Sequence, residues 1–366
     1  MDKKKILFIV QLPPPIHGAS LRNRVVFQHI NKSNLFQLKL IDLKFNKKLD
    51  DIEKITFSKI LISIKIIFQI FRSCLTNRYS LAYLTLSPQG VAFYRDLLFV
   101  TVLKLFKIPL LYHIRVLGIA RYPKRELLYK FVFNRTNVIC LSSTAANDVK
   151  PVFDDTPIIV NNGIIDPIKE YGLVRKDSFG KHLLFLSNLF ISKGVFDLIE
   201  ACRLLKDRNI RFKLTIVGDE TSEVYLADLR SYILSEGLCD CIKVKGPLYG
   251  LKKFEVLMKA DIFCFPSYYE KENFPGVILE AMSCSLPVVS YRHSSVPEMI
   301  HDGKEGLLVE LRDIKGLAMA LECLLLNSAL REKIGNNARK LYEEKFTLEI
   351  FENNMMSVFQ NLVLDK

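Results

Sequence analysis

The chain has 366 residues, more than one ordinary core accommodates and enough for two domains. With 49% hydrophobic residues the composition excludes a disordered chain, and the eight cysteines and six histidines show neither a disulfide-framework nor a zinc-ligand spacing. The formal net charge of +13 raises two polyanionic partners, nucleic acid and an acidic membrane surface.

The chain opens with Lys3-Lys4-Lys5 and five apolar residues, Ile6 to Val10, and then meets Pro13-Pro14-Pro15, which is not the pattern of a signal peptide. Short apolar runs at 6–10, 38–43, 81–86, 110–116, 138–141 and 158–160 read as strands, with helical stretches between them at 58–73 and 90–106, for example. Continuous apolar runs suit a parallel sheet covered on both faces, and their alternation with helices predicts a doubly wound α/β domain. Residues 60–71 are the most hydrophobic stretch. Lys59, Lys65 and Arg72 punctuate it, so it is too short and too charged to span a bilayer. It fits a buried helix or one lying on a membrane surface, and the buried helix is the expectation.

Between 165 and 181 the chain turns polar, with Asp166-Pro167, Gly172 and Gly180, and the linker is placed there. The alternation then restarts, with strands expected at 183–186, 213–217, 242–244, 262–265, 288–290 and 307–309 and a long helical end over 314–364. Two such domains imply a cleft between them, with ligands beyond the carboxyl ends of the strands. The expected division is 1–165, 166–345 and a last helix over 346–366. Cys140 and Cys264 fall inside apolar runs and read as small core residues.

The richest chemistry lies in the segment FCFPSYYEKENFPGVILEAMSCSLP, 263–287. A strand ends at Pro266-Ser267, a loop carries Glu270 and Glu272, and Pro275 reads as the first residue of a helix. The N–H groups of Gly276, Val277 and Ile278 would then point out of a helix end, which attracts phosphate. Glu280 follows one turn in, among Val277, Ile278, Leu279, Ala281 and Met282, and needs a partner. That partner is either a ribose diol or the cation of a structural ion pair.

Glu272 and Glu280, with seven residues between them, together with Ala281-Met282 and Leu286-Pro287-Val288-Val289, resemble the signature of the family 4 retaining glycosyltransferases of GT-B fold. Further stretches agree with that family in order and spacing: FLSNLFISKG at 185–194, TIVGD at 215–219, Gly246-Pro247-Leu248, Pro297-Glu298 through Gly303, and Gly306-Leu307-Leu308-Val309. In the first half, LPPPIHG at 12–18 resembles the loop after the family's first strand, with His17 in place of a glycine and Gly18 kept. His113, at the end of a strand, resembles a histidine near the reacting sugar, although a strand-end histidine is also an ordinary surface or core residue. Asn162-Gly163-Ile164 resembles the stretch entering the linker. Asn188 stands where the family often has an arginine, which leaves Lys193 as the cation of that loop and Arg115 or Arg292 as possible sources of a second.

The resemblance implies two Rossmann-like domains facing a cleft, with the last helix packing back on the first domain. It implies a donor site of Gly18, Asn188, Lys193, Gly218, Pro247, Leu248, Glu272, Phe274, Pro275, Gly276, Val277 and Glu280. Lys193, Glu272 and His113 would do the chemistry, and His17, His113 and Arg115 would lie on the acceptor side. Lys193 and the helix end would meet the charge of a departing diphosphate, Glu272 would hold the sugar and Glu280 the ribose. The expected reaction is retaining transfer from a nucleoside-diphosphate sugar, a co-substrate, to a lipid-linked or saccharide acceptor in surface polysaccharide or glycolipid assembly. No cofactor is expected. No Asp-x-Asp sequence would hold a metal, and Asp154-Asp155 reads as a turn, so no metal is expected either.

A nucleotide-sugar epimerase of like architecture, and a glycosidase using Glu272 and Glu280, are the enzymatic alternatives; a phosphate-binding helix end speaks against the second. A nucleic-acid-binding protein would need an aromatic platform or a helix-turn-helix signal, and neither is present, so no nucleic acid is expected as a partner. The charge is segregated. Residues 1–165 carry 25 Lys and Arg against 10 Asp and Glu, a net of +15, whereas residues 166–366 carry 27 against 29, a net of −2. The expectation is a cytoplasmic protein held peripherally at an anionic membrane surface through its first half. Oligomeric state is not legible.

Overall fold

The computed structural model describes residues 3–14, 18–45, 57–119, 125–174 and 181–364. Contacts divide the chain into two compact units, one of Met1–Asn162 with Glu349–Lys366 and one of Gly163–Leu348.

The first unit is built on a parallel sheet of β1 (Lys4–Val10), β2 (Phe36–Asp42), β3 (Leu81–Leu84), β4 (Leu110–Ile114), β5 (Asn137–Cys140) and β6 (Ile158–Ile159), in the order β2-β1-β3-β4-β5-β6. The second has β7 (His182–Leu186), β8 (Lys213–Val217), β9 (Ile242–Lys245), β10 (Ile262–Phe265), β11 (Val288–Tyr291) and β12 (Gly306–Val309), in the order β12-β11-β10-β7-β8-β9. All the pairings are parallel, and Ile6 to Val10 have no solvent exposure on either face of the sheet. That two-sided burial is why the central strands appear in the sequence as unbroken apolar runs, whereas β2 and β9, at the sheet edges, alternate apolar with exposed polar residues. Cys140 and Cys264 lie fully buried in the two sheets.

Each order turns back on itself once. In the first unit β1 has β2 on one side and β3 on the other; in the second β7 lies between β8 and β10. Loops leaving the carboxyl ends of strands on either side of such a point diverge, and the crevice they leave is the usual ligand position in open α/β sheets. In the second unit those loops follow β7 and β10.

Of the helical expectations, the burial of the first long helix needs correction and the helical end needs refinement. Residues 60–71 belong to a longer helix, Phe57–Thr76, which is not buried all round: Ile66, Ile70, Ser73 and Cys74 are buried, but Phe57, Leu61, Ile64, Phe68 and Leu75 are exposed. The helical end is not continuous. It breaks into Ile314–Leu326, Ser328–Lys345 and Leu348–Val363, the first break being made by Asn327, whose side chain caps the next helix by accepting from the Leu330 N–H at 2.9 Å. The last of these helices belongs to the first unit from Glu349 onward, with the Phe359 ring 5.5 Å from those of both Phe8 on β1 and Tyr83 on β3. No described helix is long and apolar enough to cross a membrane.

Candidate active site

In the second unit the loops after β7, β8 and β10 approach so closely that two positions exclude a side chain. A Cβ on Gly218 would lie 1.9 Å from the Ser187 carbonyl oxygen, and one on Gly194 would lie 2.0 Å from that of Pro266. Gly194 also has φ +80°, a conformation open to glycine, and it ends the turn Ile191–Lys193. The Tyr268 N–H donates to the Ser192 carbonyl at 2.8 Å, so the β7 and β10 loops are tied together.

This junction brings Lys193 and Glu272 into contact. Lys193 Nζ lies 2.5 Å from Glu272 Oε2, and the Ser267 hydroxyl donates to the same oxygen at 3.2 Å. The ammonium also sits 4.4 Å from the centre of the Tyr269 ring. Glu272 is held through its backbone as well, its carbonyl accepting from the Ser294 hydroxyl at 2.5 Å. Both side-chain contacts fall on Oε2, and Oε1 has no partner among the described residues. A lysine ammonium carries three donors, so it can hold this carboxylate and still offer N–H groups to an anion.

Glu280 sits on the helix Gly276–Ser283. Pro275 is the residue before this helix (φ −65°, ψ 113°), not its first residue, and the Ile278 N–H is already taken by the Pro275 carbonyl at 3.2 Å. Of the three N–H groups expected at the helix end, those of Gly276 and Val277 stay outside the helix's own bonding. Glu280 does have a cation: Lys253 Nζ lies 2.6 Å from Oε1. Its other oxygen, Oε2, is buried with no partner. The ion pair therefore satisfies half of the carboxylate, and the remaining acceptor is the kind of group a ligand hydroxyl completes. Lys253 belongs to the helix Gly250–Met258, which follows directly on the loop of Pro247 and Leu248.

Three expectations fare differently. The Phe274 side chain is buried against Phe346, ring centres 5.8 Å apart, so it supports the loop from within and offers no ring to a donor. Asn188 is exposed. Arg292 is spent on Asp302 at 3.0 Å and Glu310 at 3.3 Å and does not supply the second cation.

In the first unit His113 and Arg115 form a buried group with Tyr83 and Asn162. The Tyr83 hydroxyl is 2.8 Å from His113 Nδ1, Arg115 Nη2 is 3.4 Å from the same nitrogen, and Arg115 Nη1 donates to Asn162 Oδ1 at 3.2 Å. A guanidinium can only donate, so Nδ1 is the acceptor and the imidazole is neutral with its proton on Nε2. Burial first, and the Arg115 charge second, hold the His113 pKa well below its ordinary value of 6.5. His113 Nε2 and Arg115 Nε are both buried without a partner. Gly18 begins the helix Gly18–Lys32, and a Cβ there would meet nothing within 4 Å. His17 lies outside the described residues.

Lys253, Ser267 and Tyr83 were not singled out from the sequence. Nothing in a Lys-Lys pair on a helix names the glutamate it meets 27 residues later, and Tyr83 reads as one more apolar strand residue.

Residues 174–341 match the family model "Glycosyl transferases group 1", so the second unit carries a domain of that class. The fold of the whole chain is that of GT-B glycosyltransferase structures. A glycosyltransferase from Rickettsia africae ESF-5 superposes with a TM-score of 0.78 at 18% identity over the full length of both chains. Anabaena HepE, in complex with UDP, does so with a TM-score of 0.72 at 17% identity over 98% of this chain and 100% of that one. Among curated relatives, the amylovoran biosynthesis glycosyltransferase AmsK of Erwinia amylovora is 34% identical over 206 residues, which is 54% of this chain and 49% of that protein. The chain spans about half the length of the curated relatives it matches.

Proposed function

We propose that the protein is a glycosyltransferase of the family 4 retaining type, taking a sugar from a nucleoside-diphosphate sugar to an acceptor of surface polysaccharide or glycolipid assembly. The observation that carries this reading is the pair of half-satisfied carboxylates, Glu272 and Glu280, at the carboxyl end of the second sheet beside Lys193 and the Gly276 helix start. Lys193 and the N–H groups of Gly276 and Val277 meet charge developing on the leaving diphosphate. Glu272 Oε1 accepts from sugar hydroxyls and Glu280 Oε2 from the ribose. Gly18, with open space over its Cα, lets phosphate approach the backbone, and His113 offers its Nε2–H to the reacting sugar. No cofactor takes part, and the cationic groups stand in for a metal. The similarity to AmsK, of amylovoran biosynthesis, and to HepE, which binds UDP, supports a polysaccharide setting and a uridine donor.

The net charge of +15 on residues 1–165 supports a lipid-linked acceptor, met peripherally at the inner, cytoplasmic face of the cell membrane. Thermal shift with UDP, GDP and ADP, followed by turnover of the matching sugars in EDTA, tests the reading. One nucleotide should raise the melting midpoint, and Lys193→Ala should abolish turnover. No shift with any of them would overturn the reading, and turnover that stops in EDTA and returns with Mn²⁺ would overturn its metal independence.

A further inference from the structure

Three neighbouring helices of the first unit, Phe57–Thr76, Gly90–Leu105 and Glu126–Phe133, each bury one side and turn a second apolar row outward. On the first, the outward residues Leu61, Ile64, Phe68 and Leu75 recur at alternating steps of three and four or their sum, which keeps them in one stripe opposite the buried Ile66, Ile70 and Ser73. Phe68 is 64% exposed, Leu98 on the second helix 51% and Leu127 on the third 84%. The rows adjoin. The Phe71 ring packs edge-on against Phe106, just past the second helix, at 5.4 Å, and Lys104 Nζ donates to the Phe131 and Asn134 carbonyls at 2.6 and 2.7 Å.

A soluble surface rarely leaves so much contiguous apolar area uncovered unless something binds there. Charge identifies the occupant. Lys65 and Arg72 flank the first row, neither has an ion-pair partner among the described residues, and that helix contains no acid. On the other two helices Asp96 is buried against Arg95, and Glu126 is paired with Lys130 at 2.6 Å. A second copy of the chain meeting this face symmetrically would set Lys65 and Arg72 against cations with no acid to receive them. An apolar surface edged with cations and broad enough for three helices matches an anionic bilayer.

We propose that this three-helix face is the membrane-docking surface, with the outward row of Phe57–Thr76 lying at the headgroup–acyl boundary and Lys65 and Arg72 on lipid phosphates. It deepens the proposed function, which asks only for a charged first half, by requiring apolar insertion as well. Flotation of the full-length protein with phosphatidylglycerol–phosphatidylcholine vesicles, and with phosphatidylcholine alone, tests it. Binding should need the anionic lipid and weaken with salt. Lys65→Gln with Arg72→Gln should lower partitioning about 30-fold, at about 1 kcal/mol for each cation. Leu61→Ser with Phe68→Ser should abolish flotation, and since both side chains are exposed, the melting midpoint and the UDP-induced shift should not change. Wild-type flotation by the serine variant would overturn the proposal, as would absence of binding to either vesicle. A wild-type dimer that the serine variant converts to monomer, without flotation, would assign the face to a second copy instead. Intact flotation with no nucleotide-induced shift would support the docking surface while removing the transferase reading.

Discussion

A carboxylate whose one oxygen rests on a lysine and whose other is buried without a partner is costly to keep, and Glu280 is in that state. Glu272 differs in that both its contacts fall on one oxygen, at a surface where a ligand can reach the other. The two residues should therefore fail in different ways. Glu280→Ala should weaken UDP binding by about 1.5–3 kcal/mol, the range for a lost charged hydrogen bond, and Glu272→Ala should leave UDP affinity near wild type while removing turnover. Calorimetric titration of UDP into each variant measures the difference. Equal affinities in both would refute the division of labour, and unfolding of Glu280→Ala would show the Lys253 pair to be purely structural. Glu280 was conspicuous in the sequence as an acid in an apolar run, whereas Glu272, in a polar loop, stood out only through the family resemblance. Lys253 did not stand out, because ion-pair partners are set by the packing of separate helices. That the Phe274 ring turns inward was not legible, because a phenylalanine beside a phosphate-binding turn looks the same in sequence whether it points out or in.

Among elements, all twelve described strands were legible, because strands covered on both faces leave unbroken apolar runs and the half-exposed edge strands β2 and β9 still alternate apolar with polar residues. The Phe57–Thr76 helix defeated the same logic. Apolar residues lie around most of its circumference, and hydrophobicity alone does not say which side meets the sheet. What the sequence could not convey at all is pairing between strands. Tyr83 lies opposite Leu111 in the β3–β4 register, so His113, two residues further on, shares its face and comes within hydrogen-bond reach. That register has a consequence for acid stability. The buried imidazole stays neutral in the folded chain, whereas the unfolded chain takes up the proton as pH falls through about 6.5, so this group's contribution is present above pH 6.5 and is lost below it. His113→Gln should flatten the decline of the melting midpoint between pH 6.5 and 5, whatever its effect at pH 8. Parallel declines in wild type and variant would mean that the imidazole is not held neutral.

At the scale of the whole molecule, the second unit is one continuous stretch, Gly163–Leu348, and the first is not. The first is closed by Glu349–Lys366, which returns after the second unit is complete, and the Phe359 ring, with no solvent exposure, rests on Phe8 of β1 and Tyr83 of β3. Phe8 is on β1 and Phe359 follows the second unit, so the core of the first unit cannot be finished until the second unit has been made. Residues 1–165 expressed alone would lack this cover and expose the aromatic cluster, which makes that fragment unsuitable for any binding experiment. Truncating the ring within the intact chain isolates the effect. Phe359→Ala should cost about 3–5 kcal/mol, the range for emptying a buried aromatic site, and the loss should fall on the first unit. Hydrogen exchange followed by mass spectrometry separates the two units: protection should drop across 4–10 and 81–84 and stay at wild-type levels across 183–186 and 213–217. The thermal shift given by UDP should persist, because Lys193, Glu272, Glu280 and Lys253 all belong to the second unit. Equal loss of protection in both sheets would mean that the chain unfolds as one cooperative body, and no loss in either would mean that the helix is not part of the first unit's core.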